Sequence, residues 1–213
     1  MKHKVKNDII ENKNKKAVIN LDKISLDKEM ILNATEEVIR RFGPDKANIT
    51  DVAKLLKVSH AAIYRYYNGK TALWNAVTER WLTHLHAPSN QILNRDSPAD
   101  VKLSNLLESF VEAKHHSAIN DPEMFANYIK LAQSSMEVIE KGKEEGINCI
   151  EKVIVQGITE GIFFTESPYQ EARAVYLATS VFIHPNSFED PNRKQNIKSV
   201  VNLLIRGLKN SNR

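Results

Sequence analysis

From Leu26 onward, apolar side chains recur every three or four residues between breaks marked by Gly, Pro or a capping residue. That period predicts helices, and no segment alternates with the period of two that a half-buried strand needs. The first helix starts near Asp27, a good N-cap, and sets Ile31, Ala34, Val38 and Phe42 on one face before Gly43-Pro44 ends it. Asn48 or Thr50 caps a short second helix with Val52, Ala53 and Leu56 inward. After a turn at Val58-Ser59, Ser59 caps a third helix reaching about Tyr67, which Asn68-Gly69 breaks. A long fourth helix, 70–86, carries Leu73, Trp74, Val77, Trp81 and Leu85 and ends before Pro88. Five further helices are expected near 98–119, 122–140, 143–163, 168–183 and 190–209, bounded by Pro98, Pro122, Gly142, Pro168 and the Pro185–Pro191 stretch.

The pattern is therefore all-α, with about nine helices. It divides into an extension at 1–24, a three-helix domain at 25–72 and a larger helical domain at 73–213. The extension is rich in Lys and Asn without a sustained apolar period, and is expected to be flexible. It is either a solvated tail or a basic arm that follows phosphates or enters a minor groove.

Charge sharpens this division. Residues 1–70 hold 15 Lys/Arg against 9 Asp/Glu, whereas the rest hold 15 against 17. A basic front and a mildly acidic remainder suggest contact with nucleic acid at one end. No apolar run reaches the roughly 18–20 residues of a membrane span, and the N-terminus lacks the apolar core of a secretory signal. The single Cys149 cannot form an internal disulfide. These features fit a cytoplasmic protein in a reducing compartment.

Residues 50–67, TDVAKLLKVSHAAIYRYY, contain the parts of a helix-turn-helix. Val52, Ala53, Leu56, Val58 and Ile63 can form its small core, with Ala53 allowing the two helices to approach. Ser59, His60, Ala61 and Ala62 open the second helix, where side chains and backbone N–H groups can face phosphates or base edges. Tyr64, Arg65, Tyr66, Tyr67 and Lys70 then supply hydroxyls and cations suited to a DNA backbone. Tyr67 shares a face with Ile63 and is expected to be buried, with Tyr64 and Tyr66 more exposed.

The run from Ile31 to Val77 resembles the N-terminal domain of TetR/AcrR-family regulators. The likeness rests on Phe42, Val52-Ala53, Val58-Ser59, Ile63-Tyr64, Tyr66-Tyr67, Lys70 and Leu73 at matching spacings. It implies phosphate contacts from Tyr64, Tyr66 and Lys70, with Thr50, Ser59 through Ala62 and Arg65 near backbone or bases. Three departures stand out. Lys57 replaces a usual Gly at a helix end that favours positive φ, which predicts mild strain. Asn48 replaces the capping Thr, and His60-Ala61 replaces a Lys, Arg or Pro followed by Gly.

The resemblance further implies a sequence-specific transcriptional regulator, most simply a homodimeric repressor released from a palindromic operator by a small-molecule effector. Double-stranded DNA, the effector and a second copy of the chain are then its partners, and a membrane is not. Dimers present paired recognition helices to half-sites about 34–36 Å apart or a multiple of that. Ala172, Val175, Tyr176, Thr179 and Phe182 on one helix and Ile197, Val200, Val201, Leu204 and Leu208 on the next are the expected dimer surface. The middle helices are expected to enclose the ligand pocket, with Trp81, Phe110, Met124, Phe125, Tyr128 and Phe163 as candidate contacts. Few charges fall on their inward faces, which favours an apolar or aromatic effector.

Other chemistry finds less support. His84, His86, His115 and His116 stand at spacings that do not pair imidazoles on one helix face, so neither a metal nor another cofactor is expected. Cys149 reads as a small apolar helix residue rather than a redox sensor. Phosphate-binding, dinucleotide, zinc-protease and nucleophile-elbow motifs are missing, which argues against a helical enzyme. An architectural protein that coats DNA without an effector is the closer alternative, and it would show little sequence preference.

Overall fold

A computed structural model describes residues 26–210, and the expected extension at 1–24 lies outside them. Among the described residues the regular structure is helical. The nine helices are α1 (Lys28–Lys46), α2 (Ile49–Leu56), α3 (His60–Tyr64), α4 (Lys70–Leu93), α5 (Ala99–Asn120), α6 (Pro122–Ser134), α7 (Met136–Thr159), α8 (Pro168–Ser180) and α9 (Arg193–Lys209). Two single 3-10 turns, Val181–Ile183 and Pro185–Ser187, join α8 to α9.

The first three helices begin at side chains that accept a hydrogen bond from an otherwise orphaned backbone N–H. Asp27 Oδ1 accepts from Met30 N at 2.7 Å, Asn48 Oδ1 from Asp51 N at 3.1 Å and Ser59 Oγ from Ala62 N at 3.3 Å. Asp121 does the same for α6, accepting from Met124 N at 3.1 Å. Lys57 ends α2 with φ 56°, the sole non-glycine residue at positive φ among those described.

Two apolar cores share α4. Ile31, Val38, Ile39, Val52, Ala53, Ile63 and Tyr67 join Leu73, Trp74 and Val77 of α4 in the first core, roofed by Met124 and Leu131 of α6. Leu103, Leu106 and Phe110 of α5, Ile147, Ile150 and Ile154 of α7, Ala172 and Val175 of α8, and Ile197 and Val201 of α9 make the second. Phe42 departs from its expected place and is 51% exposed. The chain swings away at Gly43 (φ 73°), and Pro44, Ala47 and Ile49 fill the core beyond Ile39 instead.

Three boundaries also differ from expectation. α3 ends at Tyr64, and Tyr66 and Tyr67 follow in a turn whose N–H groups both donate to the Ile63 carbonyl. α4 runs through Pro88 to Leu93. Pro88, which has no N–H for the His84 carbonyl, is exposed, as is His84, while Ser89 and Ile92 hold the last turn in the core. The α6–α7 break falls at Ser135, and Gly142 lies within α7 because Leu82 packs against it; a Cβ there would stand 2.8 Å from Leu82 Cδ1. Gly157 is a similar seat for Phe163, whose ring would lie 2.1 Å from an added Cβ.

Polar contacts fasten α1 to the helices behind it. Arg80 of α4 reaches Glu29, Asn33 and Glu36 of α1 at 2.7–3.1 Å. Arg40 meets Asp121 through both carboxylate oxygens, at 2.8 and 2.6 Å. The same contact draws the Asp121 carboxyl below its ordinary range. Asn127 Nδ2 donates to the Ile39 carbonyl at 3.4 Å, where Asn127 is buried.

Candidate nucleic-acid interface and ligand cavity

The α2–α3 pair buries Ile49, Val52, Ala53 and Ile63, packs Leu56 against the same core and turns most of its polar side chains outward. Thr50, Ser59, His60, Ala61, Tyr64, Arg65 and Lys70 are exposed, and Ala62 is half-buried. The His60 and Tyr64 rings stand 6.4 Å apart on one face of α3. Ser59 Oγ is engaged as the cap, so its free capacity is the hydroxyl proton, which a phosphate oxygen can accept.

The aromatic run divides as expected at its ends and differently in the middle. Tyr67 is buried and Tyr64 is 51% exposed. Tyr66 is half-buried against the first core, and its hydroxyl donates to the Leu26 carbonyl. It ties the start of α1 to the end of the motif, and its proton is already committed there. Lys70 Nζ lies 3.4 Å from the Asp45 carbonyl and 5.0 Å from the Trp74 ring centroid, an exposed cation steadied at the head of α4.

A cavity of about 190 Å³ lies between α4, α5, α6, α7 and the 3-10 turn after α8. Its walls include Trp81, Leu82, Leu85 and His86 of α4, Phe110 and Lys114 of α5, Ile129 and Ala132 of α6, Ile139, Gly142 and Lys143 of α7, Tyr176 and Ile183. Of the six ligand candidates, Trp81 and Phe110 line it. The other four serve packing. Met124 roofs the first core, and Phe163 closes on Gly157. Tyr128 stacks on the outer side of Trp81, with centroids 4.9 Å apart and planes 10° from parallel, and Phe125 meets Trp81 edge-on at 6.1 Å.

The polar wall residues escaped the sequence reading, because a lysine or histidine on an amphipathic helix reads as solvent-facing. Burial lowers the pKa of both Lys114 and His86; for His86 the nearby Glu145 carboxylate, 3.8 Å from Nδ1, works the other way. Burial raises the Tyr176 hydroxyl. Tyr128, whose hydroxyl donates to Glu36 Oε1 at 3.1 Å, links the ring behind the cavity wall to the carboxylate that holds Arg80.

The expected dimer residues are largely spent inside this one chain. Ala172, Val175, Thr179, Ile197, Val201 and Leu208 are buried, and Tyr176, Phe182 and Leu204 are half-buried against the same core. The most continuous apolar stripe of α8 and α9 went to the larger intrachain core, and Tyr176 turned inward because Gly146 leaves its ring room. A second row faces outward: Leu177 is 52%, Val181 59% and Leu203 61% exposed, with Ala174 and Ala178 beside them and Val200 half-buried.

Among the described residues no three His, Cys, Asp or Glu side chains gather to hold a metal ion, and no helix is long and apolar enough to cross a membrane. Cys149 packs half-buried against the second core, and burial raises its thiol pKa.

Known proteins share both halves of this architecture. The family model described as bacterial regulatory proteins, tetR family, matches residues 31–77, and the Tetracyclin repressor-like C-terminal domain matches residues 99–201. An uncharacterized HTH-type transcriptional regulator of Bacillus subtilis, YvdT, is 33% identical over 141 residues, covering 63% of this chain and 71% of that protein. SmeT, the repressor of the Stenotrophomonas maltophilia multidrug efflux pump SmeDEF, shares the fold with a TM-score of 0.62 at 13% identity, over 88% of this chain and 93% of that one. FadR from Bacillus subtilis, solved in complex with stearoyl-CoA, does so with a TM-score of 0.54 at 17% identity, over 85% and 99%. The chain belongs to the TetR family of DNA-binding transcriptional regulators.

Proposed function

We propose that the chain is a repressor that grips a palindromic operator as a homodimer and releases it when a small molecule fills the cavity. The observation that carries this reading is the outward row on α2–α3: Ser59, His60, Ala61, Tyr64 and Arg65 lie exposed above a buried, capped pair of helices. Tyr64 and Lys70 clamp phosphates, and Ser59 through Ala62 with Arg65 approach base edges. Thr50 contacts the backbone from the start of α2. Tyr66 acts through its tie to Leu26 rather than as a free donor.

One such motif reads only a few base pairs, so specificity calls for two. The apolar row of Leu177, Val181 and Leu203 supports a four-helix contact between α8 and α9 of two chains. Release runs through α4. This helix carries Lys70 at the DNA end, Arg80 in its clasp with α1, and Trp81, Leu82, Leu85 and His86 in the cavity wall. A ligand that wedges Trp81 moves the clasp, tilts α1 and changes the separation of the two recognition helices. It does so only to the extent that it binds the released state more tightly than the DNA-bound one. SmeT, a repressor, and FadR, solved with stearoyl-CoA, support the two halves of this reading.

Selection of genomic fragments by the purified chain tests it. A shared inverted repeat among the bound fragments is the expected result. Fragments without a common sequence would point to a DNA-coating protein instead.

A further inference from the structure

The cavity wall is mostly apolar, with Lys114, His86, Lys143 and Tyr176 as its polar members. Lys114 projects from α5 into its wall, partly buried, with Nζ 5.9 Å from the Trp81 ring centroid. Among the described residues it has no carboxylate within ion-pair distance and no hydrogen-bond partner. Of the other ionisable groups at the cavity, Lys143 meets Glu140 at 3.2 Å, and His86, whose pKa burial lowers, has the Glu145 carboxylate 3.8 Å from Nδ1. A partly desolvated ammonium beside empty space is costly, and an anionic oxygen would relieve it.

Resting on the reading of this cavity as the effector site, we propose that the effector is a small monocarboxylic acid whose carboxylate pairs with Lys114. The apolar walls of Leu85, Phe110, Ile129, Ile139 and Ile183 take its hydrocarbon part. The volume sets the size: a cavity of about 150 Å³ holds benzene, so about 190 Å³ accommodates one ring, or a short chain, plus a carboxylate. A single unpaired cation selects a monoanion over a dianion or a neutral ring. Lys114 rather than Lys143 makes the selection, because Lys143 has its counter-charge within the chain.

The test is calorimetric titration of the full chain with benzoate, phenylacetate and hexanoate, each beside its neutral amide. At least one acid is expected to bind the wild type tenfold or more tightly than its amide. That preference should vanish in Lys114→Met and persist in Lys114→Arg. The comparison of acid with amide on the wild type needs no variant, so it stands even if a substitution impairs folding. Amides binding as well as acids, or a preference that survives Lys114→Met, overturns the proposal while leaving the cavity a small-molecule site. If neither acids nor amides bind, the effector reading of the cavity falls with it.

Discussion

Lys57 holds a φ of 56° where a glycine would sit without strain. The left-handed conformation costs a side-chain-bearing residue about 1–2 kcal/mol, partly offset by the chain entropy a glycine loses on folding. Lys57→Gly is therefore expected to raise unfolding free energy by about 0.5–1 kcal/mol, seen as a higher urea midpoint at unchanged slope. The tyrosines provide a paired experiment. Tyr66→Phe removes the hydroxyl tied to Leu26 and should cost about 1 kcal/mol of stability. Tyr64→Phe should leave the melt unchanged and weaken operator binding roughly tenfold, since its exposed hydroxyl is assigned to a phosphate. Equal effects from the two would remove that distinction. Caps and strain at this scale were legible in the sequence because Asp27, Asn48, Ser59 and Lys57 act on backbone groups within three or four residues. The tie from Tyr66 to Leu26 spans 40 residues, and no local pattern announces it.

Between elements, the Arg40–Asp121 contact joins α1 to the start of α6. Both side chains are about two-fifths exposed, so solvent screening keeps its contribution modest. The Asp121 carboxyl lies below its ordinary 3.8 in the folded chain, chiefly through the hydrogen bond with Arg40. Its stabilisation is thus complete above pH 3.8 and is lost as pH falls below that value through the folded pKa. Urea midpoints followed into acid should show Asp121→Asn losing less stability than the wild type across that window. Parallel acid limbs would contradict the assignment. Helix periodicity revealed which positions of α4–α9 are apolar but not which neighbour each one meets. Gly142 reads as a break although Leu82 packs against it, and Pro88 reads as a stop although α4 continues through it at an exposed position. Lys114 was invisible for the same reason: only the packing of α5 against α4 and α7 removes it from solvent.

For the whole molecule, the fold class and the helix-turn-helix were legible in the sequence, because each follows from one chain's own periodicity, whereas the first core's use of Leu73, Trp74 and Val77 of α4 and Met124 and Leu131 of α6 was not. The proposed dimer face was harder to read, since the stripes of α8 and α9 that look most apolar are buried in the chain's own core. This separation is testable. Leu203→Glu, at a site 61% exposed, should leave the helical circular dichroism unchanged, yield a monomer by light scattering and abolish operator binding. Val201→Glu buries an unpaired charge at a site with no exposure and should prevent folding. The central claim, that this chain reads a specific DNA sequence, is met most directly by one titration. Anisotropy at a single fixed salt concentration would compare the selected inverted repeat with a scrambled duplex of the same length and composition. An affinity ratio on the order of a thousandfold or more is the predicted result. A ratio near one would contradict it.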